Sequence, residues 1–67
     1  MIIKINDHPE TIDATIATVA DLIRSRNIPT AGTAVAINAK LVRREVWEVT
    51  DLKEGDNVMI ISAAYGG

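Results

Sequence analysis

Apolar positions change their period along the chain, and the changes mark its elements. Met1-Ile2-Ile3-Lys4-Ile5-Asn6 is dense in β-branched residues and runs into Asp7-His8-Pro9. There proline removes a ladder donor and aspartate favours a turn. This predicts a first strand, a turn at Asp7-His8-Pro9, and a second short strand near Glu10 to Ala14. Thr18 followed by Asp21 has the spacing of a capping box, and Val19, Leu22, Ile23 and Ile28 then follow the helical period. Arg24 and Arg26 fall where the last helical turn exposes its carbonyls, and Pro29 forbids continuation. The pattern predicts a helix from Val19 to Arg26.

Period two returns within Thr33 to Asn38, where Val35 and Ile37 share a face. Asn38-Ala39-Lys40 then turns into Leu41 and Val42, which predicts a hairpin. A less regular stretch follows, and Gly55-Asp56 marks another turn before a last strand, Asn57 to Ile61. That strand is apolar on both parities, with Val58 and Ile60 on one face and Met59 and Ile61 on the other. One helix covers only one side of a sheet, so the second apolar strip needs either a covering loop or a partner. The order β-β-α-β-β-β with a right-handed crossover is that of an α+β roll, a mixed sheet with one main helix on one face. This is the β-grasp, or ubiquitin-like, order, and by itself it assigns no function.

Composition narrows the function more than the fold does. With 67 residues, 48% of them hydrophobic, the chain can bury one core and not two. Residues 1–62 are expected to form a β-grasp domain and residues 63–67 a flexible tail. The absence of cysteine excludes a disulfide framework, a thiolate metal site and a cysteine nucleophile. Seven basic against nine acidic residues, interspersed, leave a net charge of −2 and no basic excess for a phosphate backbone, so no nucleic-acid partner is expected. The longest purely apolar run, Val58 to Ile61, is far too short to span a bilayer, and Lys4 interrupts any signal-peptide core; a cytoplasmic protein with no membrane partner is expected. His8 is the only histidine and has no second ligand or base beside it, and Ser25 and Ser62 lack a credible base. Glycine occurs only at positions 32, 55, 66 and 67, which makes no phosphate-binding loop. The carboxylates Glu10, Asp13, Asp21, Glu45, Glu48 and Glu54 are scattered like a solvated surface. No set of residues suits an independent enzyme.

What remains is Ala63-Ala64-Tyr65-Gly66-Gly67 after the last strand. Two terminal glycines arise by chance in about one chain in 200 at average glycine usage. One reading is a frayed end or an expression scar. The other is a thin arm without Cβ atoms, able to thread a narrow active site and present its terminal carboxylate to another enzyme. The second reading accounts for the unpartnered apolar face as well.

The residues that carry a family resemblance run through the whole chain. They are Asn6-Asp7, Thr18-Val19 leading to Leu22, Ala36-Ile37-Asn38, Val42, Arg44-Glu45, Trp47, Leu52, Gly55-Asp56 and Gly66-Gly67. The chain resembles the ThiS family, the sulfur carriers of thiamin biosynthesis. Gly-Asp and Gly-Gly are shared with other β-grasp carriers such as the molybdopterin synthase small subunit; the Ala-Ile-Asn strand followed by Val-x-Arg-Glu-x-Trp favours the thiamin carrier. Arg43 stands where family members often have proline, and Tyr65 is bulkier than the residues common before the glycines.

The resemblance implies that a ThiF-type adenylating enzyme uses ATP and magnesium to activate Gly67, with Gly66 beside it in the arm, and that this chain binds no cofactor itself. Sulfur drawn from cysteine through a desulfurase would then give a Gly67 thiocarboxylate. Thiazole synthase, ThiG, would use it with a deoxyxylulose phosphate and a glycine-derived imine. The chain would be a cosubstrate and not a catalyst. Met59, Ile61 and Tyr65 are the candidate docking residues, with burial of Met59 and Ile61 beneath a loop as the alternative. Trp47 is expected to be partly core, and Arg44 to pair with Glu48 or to contact a partner. Another biosynthetic sulfur carrier, a ubiquitin-like modifier and a plain binding module are the competing functions.

Overall fold

Two short turns set the frame of the sheet. A computed structural model describes residues 1–62; the expected tail, with Tyr65, Gly66 and Gly67, lies outside the described residues. Strands β1 (Ile2–Ile5) and β2 (His8–Thr11) are joined by Asn6-Asp7, and β3 (Thr33–Ile37) and β4 (Lys40–Val42) by Asn38-Ala39. All four turn residues have positive φ, from 50° to 70°, as the two-residue hairpins that match strand twist require. Asparagine tolerates this backbone; Ala39, at φ 70°, carries a strain of about 1 kcal/mol.

The first turn therefore lies at Asn6-Asp7, not at Asp7-His8-Pro9, and β2 begins at His8 instead of Glu10. Pro9 sits inside β2 opposite Lys4. A proline is tolerated there because β2 is an edge strand, with a neighbour on one side only. His8 is thus a strand residue, exposed to solvent.

Helix α1 (Val19–Ser25) forms where the capping box predicts it. Thr18 Oγ1 accepts the Asp21 amide at 3.2 Å, and Asp21 Oδ2 accepts the amides of Thr18 at 3.1 Å and Ala17 at 3.0 Å. Arg26 is the C-cap, one residue past the last helical position. The helix buries Val19, Ala20, Leu22 and Ile23 against Ile3, Ile5, Val35, Val58 and Ile60 of the sheet. The less regular stretch contains a 3-10 helix, Arg44–Val49, whose Trp47 is more deeply buried than expected, at 3% exposure. Its indole N–H donates to the Val42 carbonyl at 2.9 Å, holding the 3-10 helix to the end of β4. Arg43 enters that helix at φ −67° and ψ 143°, the backbone proline would impose, so the arginine leaves the path of the chain unaltered.

Strand β5 (Asn57–Ser62) completes a five-stranded sheet in the order β2-β1-β5-β3-β4, parallel to β1 and antiparallel to β3. The last strand in sequence is therefore the central one. Its ladder with β1 pairs only Lys4 with Asn57 and Ile5 with Val58. Beyond that the Asn6 side chain takes over: Nδ2 donates to the Ile60 carbonyl at 3.1 Å and Oδ1 accepts the Ile60 amide at 2.7 Å. At the strand's start Asn38 Oδ1 accepts the Asn57 amide at 3.0 Å, and Asn38 Nδ2 donates to the buried Asp56 carboxylate at 3.1 Å.

Ion pairs add to the sheet ladders. Arg24 contacts Glu48 at 2.8 Å and Asp21 at 3.0 Å, tying the helix to the 3-10 helix, and Arg26 pairs with Glu10. Glu48 is therefore engaged by Arg24, not by Arg44 as its spacing suggested. Amide donors from Ala17 and Thr18 hold the Asp21 carboxyl below the usual carboxylate range, the Arg24 hydrogen bond does the same for Glu48, and the Thr15 amide for Asp13.

Two outcomes follow from these contacts. Asn6→Ala loses both bonds to Ile60 and the tolerance of positive φ, and is expected to cost about 2–3 kcal/mol; Asn6→Gly keeps the backbone and is expected to cost about 1 kcal/mol less. Chemical denaturation of both variants measures the difference. The three depressed carboxyls bind protons more weakly folded than unfolded, so their stabilisation is present above the unfolded carboxylate range and is lost as pH falls through the folded values. Melting temperature should fall on acidification below about pH 4, with a shallower slope in Asp21→Asn.

Candidate functional site

Alternation along β5 divides its side chains cleanly. Val58 and Ile60 point into the core, at 0% and 8% exposure, while Met59 and Ile61 point away from the helix at 38% and 64%. Burial beneath a loop, the alternative for the outer pair, is thereby set aside. Cross-strand partners share a face. Ala36 lies opposite Met59 and Ala34 opposite Ile61, and Leu41 on β4 lies opposite Ala36. The expected pair thus belongs to a wider apolar face with Ala34, Ala36 and Leu41, the last 71% exposed. The small alanines cannot cover their neighbours, so the larger side chains stand above them. Period two in β3 and β4, extended to the outward parity, was the signal available for these three residues.

The end of β5 is held on one side. The β1 ladder has stopped, and the last pair of the sheet is Thr33 with Ser62. Their hydroxyls are 3.1 Å apart, and the Thr33 hydroxyl also donates to the Pro29 carbonyl. Beside this point opens a shallow cleft lined by Thr30, Gly32, Thr33, Ala34, Arg44 and Glu45. Arg44 thus shares this cleft with Thr33, the partner of Ser62; Tyr65, Gly66 and Gly67 lie outside the described residues. Thr33 and the two asparagines were not singled out as side chains that fix the strand; their bonds to β5 reach partners 19 to 54 residues away, which no local pattern encodes.

The titratable groups with displaced affinity, Asp13, Asp21, Arg24 and Glu48, sit around the helix and its N-terminal approach. None belongs to the apolar face. That face offers contact area and a fixed strand end instead of acid-base chemistry. Among the described residues no helix is long and apolar enough to cross a membrane.

The ThiS family model matches residues 3–67. The sulfur carrier protein ThiS of Escherichia coli (strain K12) is 34% identical over 50 residues, spanning 75% of this chain and 76% of that relative. The crystal structure of a thiamine biosynthesis protein (ThiS) from Geobacter metallireducens superposes with a TM-score of 0.82 at 26% identity, over 92% of this chain and 93% of that one. The solution structure of a thiamine biosynthesis protein from the same organism gives a TM-score of 0.76 at 27% identity, over 91% and 81%. The fold is the β-grasp that the element order predicts, and the chain belongs to the ThiS family of sulfur carrier proteins of thiamin biosynthesis.

Proposed function

We propose that the chain is a protein cosubstrate whose Gly67 carboxylate is loaded with sulfur and delivers it for thiazole formation. The observation that carries this reading is the exposed apolar face of β5, which ends at a fixed Ser62 five residues before Gly67. Five extended residues reach roughly 17 Å, enough to enter a partner's site while Met59, Ile61 and Leu41 rest on its surface. Tyr65 lies on that path and is the arm's own candidate contact.

A carboxylate is a poor electrophile, so the first step must replace its oxygen with a leaving group. In a ThiF-type enzyme with ATP and magnesium, a Gly67 carboxylate oxygen attacks the α-phosphorus and pyrophosphate leaves, giving the acyl adenylate. The terminal sulfur of a persulfide supplied through a cysteine desulfurase then attacks the acyl carbon and expels AMP, and a thiol reductant, itself oxidised to a disulfide, cleaves the resulting acyl disulfide to leave the thiocarboxylate. Thiazole synthase takes that sulfur together with a deoxyxylulose phosphate and a glycine-derived imine, and the carrier returns as the carboxylate. The chain provides the acyl group, the arm and the docking face; the catalysis belongs to its partners. Intact mass of the carrier recovered from a partner separates the readings, since oxygen-to-sulfur exchange marks a sulfur carrier and a ladder of conjugates a protein modifier.

Met59→Asp and Ile61→Asp place a charge on a face already in water, so melting should hardly change. Binding to the activating enzyme should weaken roughly tenfold or more, because the same charge is unpaired in a desolvated contact. Ile60→Asp, one residue between them, should unfold the protein. Normal binding by both surface variants in calorimetry would remove the docking assignment.

Gly66→Val adds a β-branched side chain that restricts φ and widens the arm, and deletion of Gly67 leaves the carboxylate one residue short. Misplacement on that scale costs roughly 100-fold or more in rate. Both variants should lose ATP-pyrophosphate exchange with the activating enzyme at unchanged melting temperature; exchange at the wild-type rate by both would reject the carrier reading.

A further inference from the structure

We infer that Thr33 is a positioning residue: its hydroxyl, relayed between Ser62 and the Pro29 carbonyl, fixes the point from which the sulfur-carrying arm departs. The inference rests on the carrier reading above for its consequence, and on the geometry of the strand end for its cause. Asn6 is the last group to hold β5 from the β1 side, and it reaches no further than Ile60. Among the described residues, Ile61 and Ser62 are therefore held in the sheet by β3 alone, through the pairs Ala34 with Ile61 and Thr33 with Ser62.

The Thr33 hydroxyl has one hydrogen, and it has two oxygen partners, the Pro29 carbonyl and Ser62 Oγ at 3.1 Å. A carbonyl only accepts, so the Thr33 hydrogen goes to Pro29 and the Ser62 hydroxyl donates into the Thr33 oxygen. The result is a chain of two bonds running from the last described residue, through the strand, to the loop that precedes it. The Thr33 amide donates to the Thr30 carbonyl at 3.2 Å, so the loop end of the relay is itself closed by a turn. This leaves the end of β5 tied to a rigid corner, though one of its two flanking strands has already ended. A fixed Ser62 sets the origin from which residues 63–67 of the proposed carrier run to the partner's reaction centre, and effective concentration there rises accordingly.

Thr33→Val keeps the branched shape and removes the hydroxyl, Thr33→Ser restores it, and Ser62→Ala removes the other end of the same bond. In ATP-pyrophosphate exchange with the activating enzyme, Thr33→Val and Ser62→Ala should lower kcat roughly tenfold while KM for the carrier stays within about twofold, because the docking face is untouched. Thr33→Ser should restore kcat. Separately, the backbone order parameter of Ser62 by nitrogen relaxation should drop from about 0.85 toward 0.6 in Thr33→Val. An unchanged kcat, a rise in KM alone, failure of Thr33→Ser to rescue, or an unchanged Ser62 order parameter would each overturn the inference. If Thr33→Val does not fold, Ser62→Ala decides it by the same two measurements. Absence of exchange with the wild-type carrier would reject the carrier reading instead, and the Ser62 order parameter would still decide whether the relay fixes the strand end.

Discussion

The structure depends on a single topological constraint, that the strand made last in the chain is the middle strand of the sheet. Until β5 enters between β1 and β3, neither hairpin has a neighbour, and α1 has only half a floor on which to bury Leu22 and Ile23. Val58 and Ile60 complete that floor, and Val58 is wholly buried. Contacts of such long sequence separation cost loop entropy before they stabilise anything. The chain offsets this with local structure that needs no partner: a reciprocal capping box at Thr18 and Asp21, and two-residue turns that set each hairpin before the centre is filled.

Those two turns also explain how a short ladder holds a long strand. Asn6 and Asn38 each occupy the first position of a positive-φ pair, which rotates the backbone away from the strand and turns the side-chain amide back toward β5. A carboxamide carries the same donor and acceptor as a peptide group, so Asn6, bonded to both backbone groups of Ile60, stands in for one residue of ladder, while Asn38 accepts the Asn57 amide and gives its donor to the Asp56 carboxylate. Glycine would suit the turns better and hold nothing; aspartate would accept but not donate. The need for both functions at one position accounts for the asparagine at each turn, whereas Ala39, which bonds nothing with its side chain, merely bears the strained angle.

Order, type and face of the elements were legible because they follow from period: the helix from Val19, the hairpin turning from Asn38, and the inward and outward parities of β5 all stand where the pattern puts them, although Lys40, expected within the turn, opens β4. Proline misled at β2. Pro9 forbids a ladder bond only on the side where a strand sits, and the edge position of β2 is a property of the whole sheet that a local window does not contain. The 3-10 helix was missed for a related reason, since its one buried anchor, Trp47, is held by a carbonyl at the end of β4 and not by any repeat within the segment. Arg44 and Glu48 had helical spacing, yet Arg24, 24 residues away along the chain, is the partner that reaches Glu48, at 2.8 Å. Of the site, the outward pair on β5 was legible; the fixed end at Thr33 and Ser62 was not, because a hydroxyl pair 29 residues apart leaves no trace in periodicity.

The exposed face has a size that suits a carrier better than a permanent subunit. Burying a side chain such as Met59, Ile61 or Leu41 completely gains about 1.5–3 kcal/mol, and each is already partly shielded in the free protein, at 38%, 64% and 71% exposure. Together they supply of the order of 4 kcal/mol on docking, close to the lower bound of what association costs in lost freedom. Such a face positions a partner without retaining it. On the carrier role proposed above, stable engagement would have to come from the terminal glycines. A carrier loaded by one enzyme and unloaded by another would have to dissociate between the two, so weak docking by β5 and selective capture of the glycines would divide affinity from specificity. A larger apolar strip would have tightened the first contact at the expense of the second.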